Sequence, residues 1–307
     1  MLNKIVVYGV GLIGGSFARA LKAAGAVRHV VGIDRSEASA LRALELGIID
    51  EAVVGAQADA AAEAAAIRSA DLVVLATPVA QTARILEGLL PHLGAQTIVT
   101  DCGSTKADVV AAARAVLGDR IGQFVPGHPI AGRETNGPDA AIADLYIGKK
   151  FVVAPLAENA PEAVARVTDA WRTCGAIIHR LTPEEHDKVF ASVSHLPHLL
   201  AYALVDDIAG KPHADLLFQY AASGFRDFTR IAGSSPEMWR DISLANQAAL
   251  LSELDAYMAQ LTHLRERLAA GDGATLEAVY GNAQRARRRW IEAIEAAEAP
   301  PPKDTAE

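Results

Sequence analysis

The run Gly9-Val10-Gly11-Leu12-Ile13-Gly14 constrains the chain more than any other stretch. It follows an apolar segment, Ile5-Val6-Val7-Tyr8, that reads as a strand, and opens onto residues 16–21, which read as a helix. Asp34 lies twenty residues beyond Gly14, at the end of a second apolar run, Val30-Val31-Gly32-Ile33. A lone Gly-x-Gly-x-x-Gly is a weak signal. Between a strand and a helix, with an acidic residue at that spacing, it has the context of a dinucleotide-binding βαβ unit. Gly9 permits the tight turn, Gly11 lets the backbone approach a pyrophosphate at the helix N-terminus, and Gly14 lets helix and strand pack closely. Leu12 and Ile13 complete the candidate cofactor turn. A carboxylate at Asp34 accepts the ribose hydroxyls of NAD and repels a 2′-phosphate. The adjacent Arg35 is the kind of residue that serves NADP, but the charge at the strand end favours NAD.

Strand and helix patterns then alternate, which predicts an α/β domain with a parallel sheet covered on both faces. Helical patterns run over residues 36–46, 58–68, 78–90 and 161–174. Strand patterns fall at 51–54, 72–76, 97–100, 149–154 and 176–180. The carboxyl ends of such strands carry ligands. Thr77 and Pro78 follow one of them and are placed beside the cofactor. Asp101-Cys102-Gly103-Ser104-Thr105-Lys106 follows another. Here Ser104 reads as the N-cap of a helix, with Asp108 in its first turn, or as a hydroxyl aimed into the cleft. Cys102 reads as a small buried side chain. After residues 124–125, a loop framed by Pro126 and Pro129 presents His128. Prolines on both sides hold the imidazole, which makes it a general-base candidate.

The pattern changes near Leu181. Thr182-Pro183-Glu184-Glu185 is a capping box, and helical periodicity follows almost throughout. Residues 1–181 therefore read as a Rossmann domain, 182–297 as a helical domain, and 298–307 as a disordered tail. His186, His195 and His198 lie on the first helical stretch, where Pro197 should kink the helix or open its hydrogen bonding. Zinc is a poor reading there, because no cysteine lies nearby, and no metal is expected. Arg226 and Arg230 share a helical face, and Asp227 and Arg230 are spaced to pair. Arginine forks well onto a carboxylate. A helix from Ser235 is expected to run to about residue 270, with a seam at Leu251, Leu254, Met258 and Leu261 that suits a second helix. The seam is either internal or a dimer contact.

At 307 residues the chain holds two domains, and its net charge of −8 argues against nucleic acid as the main partner. Two cysteines give no disulfide framework. The glycine turn explains the apolar N-terminus better than a signal peptide does. No stretch approaches eighteen apolar residues, so a soluble cytoplasmic protein without membrane contact is expected.

The glycine turn, the Asp-x-Gly-Ser-x-Lys segment and Gly127-His128-Pro129-Ile130-Ala131-Gly132 together resemble the prephenate/arogenate dehydrogenase family of tyrosine biosynthesis, over about residues 3–290. The resemblance implies NAD-dependent oxidation with loss of carbon dioxide from a small-molecule substrate, prephenate or arogenate. It implies that His128 accepts the substrate hydroxyl proton and Ser104 hydrogen-bonds that hydroxyl. It further places Arg230 on the ring carboxylate, Asp227 as its restraint in the empty site, His198 on the substrate side chain and His186 near the same cleft. Glu134, just past the His128 loop, is the residue placed to influence the choice of substrate. It also implies a homodimer through intertwined helical domains. Two rivals are a β-hydroxyacid dehydrogenase, whose glycine-rich lysine motif is not found here, and a non-enzymatic NAD-sensing module, which leaves His128 and Arg226/Arg230 without purpose.

Overall fold

The structure, a computed structural model, describes residues 1–54, 60–133 and 135–298. Glu134, the first residues of the 58–68 helix and the end of the chain from residue 299 lie outside the described residues. The chain falls into two compact units, Met1–Leu250 and Leu251–Glu307.

The first unit opens with β1 (Leu2–Tyr8), α1 (Leu12–Ala23), β2 (Val27–Asp34), α2 (Glu37–Glu45), β3 (Glu51–Val54), α3 (Ala60–Arg68), β4 (Leu72–Leu75), α4 (Thr82–Leu89), β5 (Ile98–Asp101), α5 (Ala107–Leu117) and β6 (Phe124–Val125). Among the described residues these strands form one sheet in the order β3-β2-β1-β4-β5-β6, every pair parallel. Both faces are covered, so β1 and β4 are apolar along most of their length rather than alternating. Alternate side chains then feed two cores. Ile5, Val7, Leu72 and Val74 pack with Phe17, Leu21 and Trp171 on one face. Val6, Val73 and Leu75 pack with Leu86, Val109 and Phe124 on the other. Helix α1 begins at Leu12, four residues earlier than its pattern suggested, so the end of the glycine run is its first turn.

A second sheet was not anticipated. Its strands are β7 (Gly127–Ile130), β8 (Lys150–Val153) and β9 (Ile177–Arg180), in the order β7-β8-β9, with α6 (Pro161–Thr173) between β8 and β9. Strand β7 is antiparallel to β8, and β8 is parallel to β9. His128 therefore lies in a strand, opposite Val152, and not in a loop. Pro126 lacks an N–H and separates β6 from β7, and its carbonyl accepts from Ala154 N–H at 2.9 Å.

From Thr182 the unit is helical: α7 (Pro183–Phe190), a π-turn Ala191–His195, α8 (Leu196–Ala209), α9 (Ala214–Gln219), α10 (Ser223–Thr229), α11 (Pro236–Ala245) and the start of α12 (Gln247–Ala269). The capping box is present in full, with Thr182 Oγ1 accepting from Glu185 N–H at 3.2 Å and Glu185 Oε2 accepting from Thr182 N–H at 2.9 Å. Pro197 sits in the first turn of α8, and the π-turn directly before it is the expected opening. The long helix expected from Ser235 is two helices, because Asn246 ends α11 and turns its amide inward. By length and mean hydropathy the run Pro183–Ala209 is long and apolar enough to cross a membrane, contrary to the expectation from sequence. Its first turns instead carry His186 and Asp187, whose side chains are bonded to β7 and to the start of α5.

The second unit holds the rest of α12 and α13 (Gly273–Glu298). Leu251, Met258 and Leu261 of the expected seam are exposed, as are Leu268, Tyr280 and Trp290.

Candidate active site

The glycine turn is shaped as the fingerprint requires. Gly9 has φ +85°, and a Cβ there would lie 2.5 Å from the Ala76 carbonyl oxygen. A Cβ on Gly14 would meet the Gly9 oxygen at 2.1 Å. Above Gly11 there is room, since its Cβ would find only Gly137, at 3.9 Å. A cavity of about 650 Å³ opens from this turn. It is lined by Gly9, Gly11, Ile13, Asp34, Arg35, Thr77, Pro78 and Ser104, all singled out from the sequence. Leu12 and Gly14 do not line it. Leu12 is buried in the core, and Gly14 sets the approach of α1 to β1. Asp34 is held by its own backbone surroundings: Val10 N–H donates to Oδ2 at 3.1 Å and Ser36 N–H to Oδ1 at 2.9 Å. The open glycine, the helix N-terminus and a fixed carboxylate at the strand end fit a dinucleotide.

Beyond β5, Asp101 organises the next segment. Its Oδ2 accepts from Gly103 N–H at 2.8 Å, its Oδ1 accepts from Gly127 N–H at 3.0 Å, and the fully buried Lys106 ammonium pairs with it. The bond to Gly127 sets β7, and so His128, beside the carboxyl end of β5. Ser104 does not cap α5, which starts at Ala107. The cap comes from Asp187, 81 positions beyond Lys106. Its Oδ1 accepts from Lys106 N–H and its Oδ2 from Ala107 N–H, both at 2.8 Å. A carboxylate at that end also suits the helix dipole. Ser104 is left on the cleft wall.

The histidines converge. His128 Nδ1 lies 2.8 Å from His186 Nε2, and His186 Nδ1 lies 2.8 Å from Asp187 Oδ1. Phe190 packs on both rings, with centroids at 5.0 and 4.4 Å. His186 is fully buried, and neither ring lines the cavity that opens from the glycine turn. Burial lowers the His128 pKa well below 6.5, and the charges of His186, Lys106 and His195 push the same way. Burial likewise lowers His186, against the opposing pull of Asp187. His195, buried, is lowered to about 4 by burial above all. Its Nδ1 lies 3.1 Å from the Asn246 amide nitrogen, which also donates to the Asp187 carbonyl at 2.8 Å. His198 bonds through Nδ1 to the Ser194 carbonyl at 2.8 Å and stacks on Trp239 at 3.5 Å. Burial lowers its pKa, and the Arg230 charge adds to that. Arg226, Asp227 and Arg230 are exposed, on α10 and the turn that follows. Among the described residues, no group of three His, Cys, Asp or Glu is placed to hold a metal ion.

Several residues escaped the sequence reading. Asn136 and Gly137, with Gly137 at φ +82°, line the cleft, and an Asn-Gly pair was the available signal. Tyr8 and Glu63 also line it, joined by a 2.7 Å hydrogen bond that no local pattern announces. The bonds of Asp187 to the start of α5 and those of Asn246 are contacts distant in sequence.

Sheet order, glycine turn and fixed carboxylate define a dinucleotide-binding protein of the Rossmann class. The family model described as the prephenate dehydrogenase nucleotide-binding domain matches residues 17–180, and the one described as its dimerization domain matches residues 182–281. The chain belongs to the prephenate dehydrogenase family. It is 38% identical to a cyclohexadienyl dehydrogenase of Zymomonas mobilis, over 94% of this chain and 96% of that one. It is 38% identical to a prephenate dehydrogenase of Bacillus subtilis, over 90% of this chain and 73% of that one. The crystal structure of prephenate dehydrogenase from A. aeolicus, in complex with hydroxyphenyl propionate and NAD+, superposes with a TM-score of 0.86 at 36% identity, covering 95% of this chain and 99% of that one.

Proposed function

We propose that the chain oxidises and decarboxylates prephenate to 4-hydroxyphenylpyruvate with NAD, and accepts arogenate, giving tyrosine, as a second substrate. The observation that carries the mechanism is the placement of His128: it lies on β7, whose Gly127 N–H is bonded to Asp101 at the carboxyl end of β5, three residues before Ser104. Bound NAD supplies the hydride acceptor for the carbinol hydrogen. His128 takes the hydroxyl proton as that C–H bond breaks, and Ser104 fixes the angle of the hydroxyl. The ring carboxylate leaves as carbon dioxide, and its bonding pair completes the aromatic ring. The proton held on His128 returns to the oxygen, which becomes a phenol. Arg230 holds the ring carboxylate with Asp227 as its restraint, Arg226 shares that helical face, and His198 holds the side chain. Glu134, outside the described residues, keeps its proposed influence on substrate choice. Asp34 favours NAD over NADP.

The pH profile follows from the burial of His128. The active form is neutral, and its pKa in the folded chain lies well below 6.5. A solvated histidine gains its proton at about pH 6.5, and the desolvation of His128 moves that step lower. Turnover is expected to persist as pH falls through 6.5 and to fail only well below it. The same depression makes folding less favourable there. Four imidazoles, His128, His186, His195 and His198, have lowered values. Their stabilising contribution is complete above about pH 6.5 and is lost as pH falls toward the folded values. Log kcat against pH, with circular dichroism at each point, separates the two losses.

We read residues 1–181 as nucleotide-binding and 182–297 as helical, in a soluble cytoplasmic protein with free thiols. The exposed apolar side chains of the second unit support a homodimer. Light scattering should give twice the chain mass, and Met258→Glu should shift it toward the monomer. Initial rates with prephenate and arogenate, each with NAD and NADP, test the substrate and cofactor assignment. A preference for NADP would overturn the role given to Asp34.

A further inference from the structure

We propose that Asp187 and His186 form a positioning row for His128: Asp187 fixes the tautomer of His186, His186 fixes that of His128, and Nε2 of His128 is thereby the nitrogen that receives the substrate proton. The proposal rests on the reading of His128 as the base.

The proton positions follow from one end of the row. The Asp187 oxygens accept from two backbone N–H groups, those of Lys106 and Ala107, at 2.8 Å each. These bonds and His186 outweigh burial and hold the carboxyl below its usual range, so Asp187 is an ionised acceptor. His186 Nδ1, 2.8 Å from Oδ1, must then carry a hydrogen. A neutral imidazole with a proton on Nδ1 has a bare Nε2 that only accepts. That atom lies 2.8 Å from His128 Nδ1, which must be the donor. A neutral His128 is left with a bare Nε2. The groups facing the row from neighbouring elements are the Lys106 ammonium, paired with Asp101, and His195. Both rings are lowered in pKa, which fits one proton on each.

The row holds the acceptor nitrogen free and supports the charge that His128 gains. An orienting carboxylate does this for the histidine of serine hydrolases, and here a second imidazole is interposed. Nothing has to travel along it. The same carboxylate caps α5, just after the Ser104 segment, so one side chain sets two parts of the site.

The test separates the row from the cap. His186→Leu breaks the row and leaves the Asp187–α5 bonds in place. His186→Gln can restore it, donating to Asp187 through its amide and accepting from His128 through its carbonyl. In ¹⁵N-histidine-labelled protein without substrate, the His128 signal is identified by its loss in His128→Asn. The wild-type ring is expected to carry its proton on Nδ1, and His186→Leu to shift it toward Nε2. kcat should fall roughly 10–100-fold in His186→Leu and recover in part in His186→Gln. KM for NAD should change less than twofold in both. A wild-type His128 protonated on Nε2 overturns the proposal. So does wild-type turnover in His186→Leu, or a Gln variant no better than Leu. If His186→Leu does not fold, the wild-type spectrum decides alone. If the wild type fails to reduce NAD with either substrate, the functional reading fails while the spectrum still reports on the row.

Discussion

His128→Asn is expected to lower kcat by about 10²–10⁴-fold while NAD binds as before. Asparagine is close in reach to the Nδ1 side of the ring and can keep a bond to His186. It has no nitrogen that accepts a proton near neutral pH, so the hydroxyl proton has nowhere to go. His128 does not line the dinucleotide cleft, which is why the cofactor should not notice the change. The kcat from NADH absorbance and the NAD dissociation constant from fluorescence quenching should therefore separate cleanly. Ordinary turnover in this variant would remove His128 from the chemistry. Weakened NAD binding would mean that the substitution has disturbed the β5–β7 junction, where Gly127 bonds to Asp101.

Arg230→Ala should act on the other quantity. Charged hydrogen bonds to a carboxylate contribute about 1.5–3 kcal/mol each, so KM should rise about ten- to 150-fold, with a smaller change in kcat. Arg230 is exposed, at the turn after α10, and its charge reaches His198, the proposed side-chain ligand. Arg230→Lys should recover little, because an ammonium cannot fork onto both carboxylate oxygens. Steady-state kinetics on the three proteins give the comparison. A fall in kcat with KM unchanged would place Arg230 in the chemical step and not in substrate capture.

The parts of the molecule that were legible in the sequence are those governed by neighbours along the chain. The glycine turn, the carboxylate at the end of β2 and the capping box at Thr182 each need only a few adjacent residues to form. The alternation of strand and helix patterns announced a parallel sheet covered on both faces. What failed depended on contacts across the fold. Ser104 looked like an N-cap because a serine precedes the helix, yet the cap is Asp187. A helix pattern ran unbroken through Asn246, whose amide instead bridges the Asp187 carbonyl and His195. His128 looked like a loop residue between prolines, but β8 supplies a partner strand that periodicity cannot reveal. The resemblance puts His186 near the cleft, but its full burial and its bond to His128 come from contacts across the fold. The lowered pKa of His128 likewise depends on its surroundings in the fold, since the ordinary histidine value holds only for a solvated ring.

The most direct single measurement is carbon dioxide and NADH counted in one reaction of the purified chain with NAD and prephenate. One carbon dioxide should be released for each NADH formed, with 4-hydroxyphenylpyruvate as the organic product. NADH without carbon dioxide, or neither one, would contradict an oxidative decarboxylation at this site.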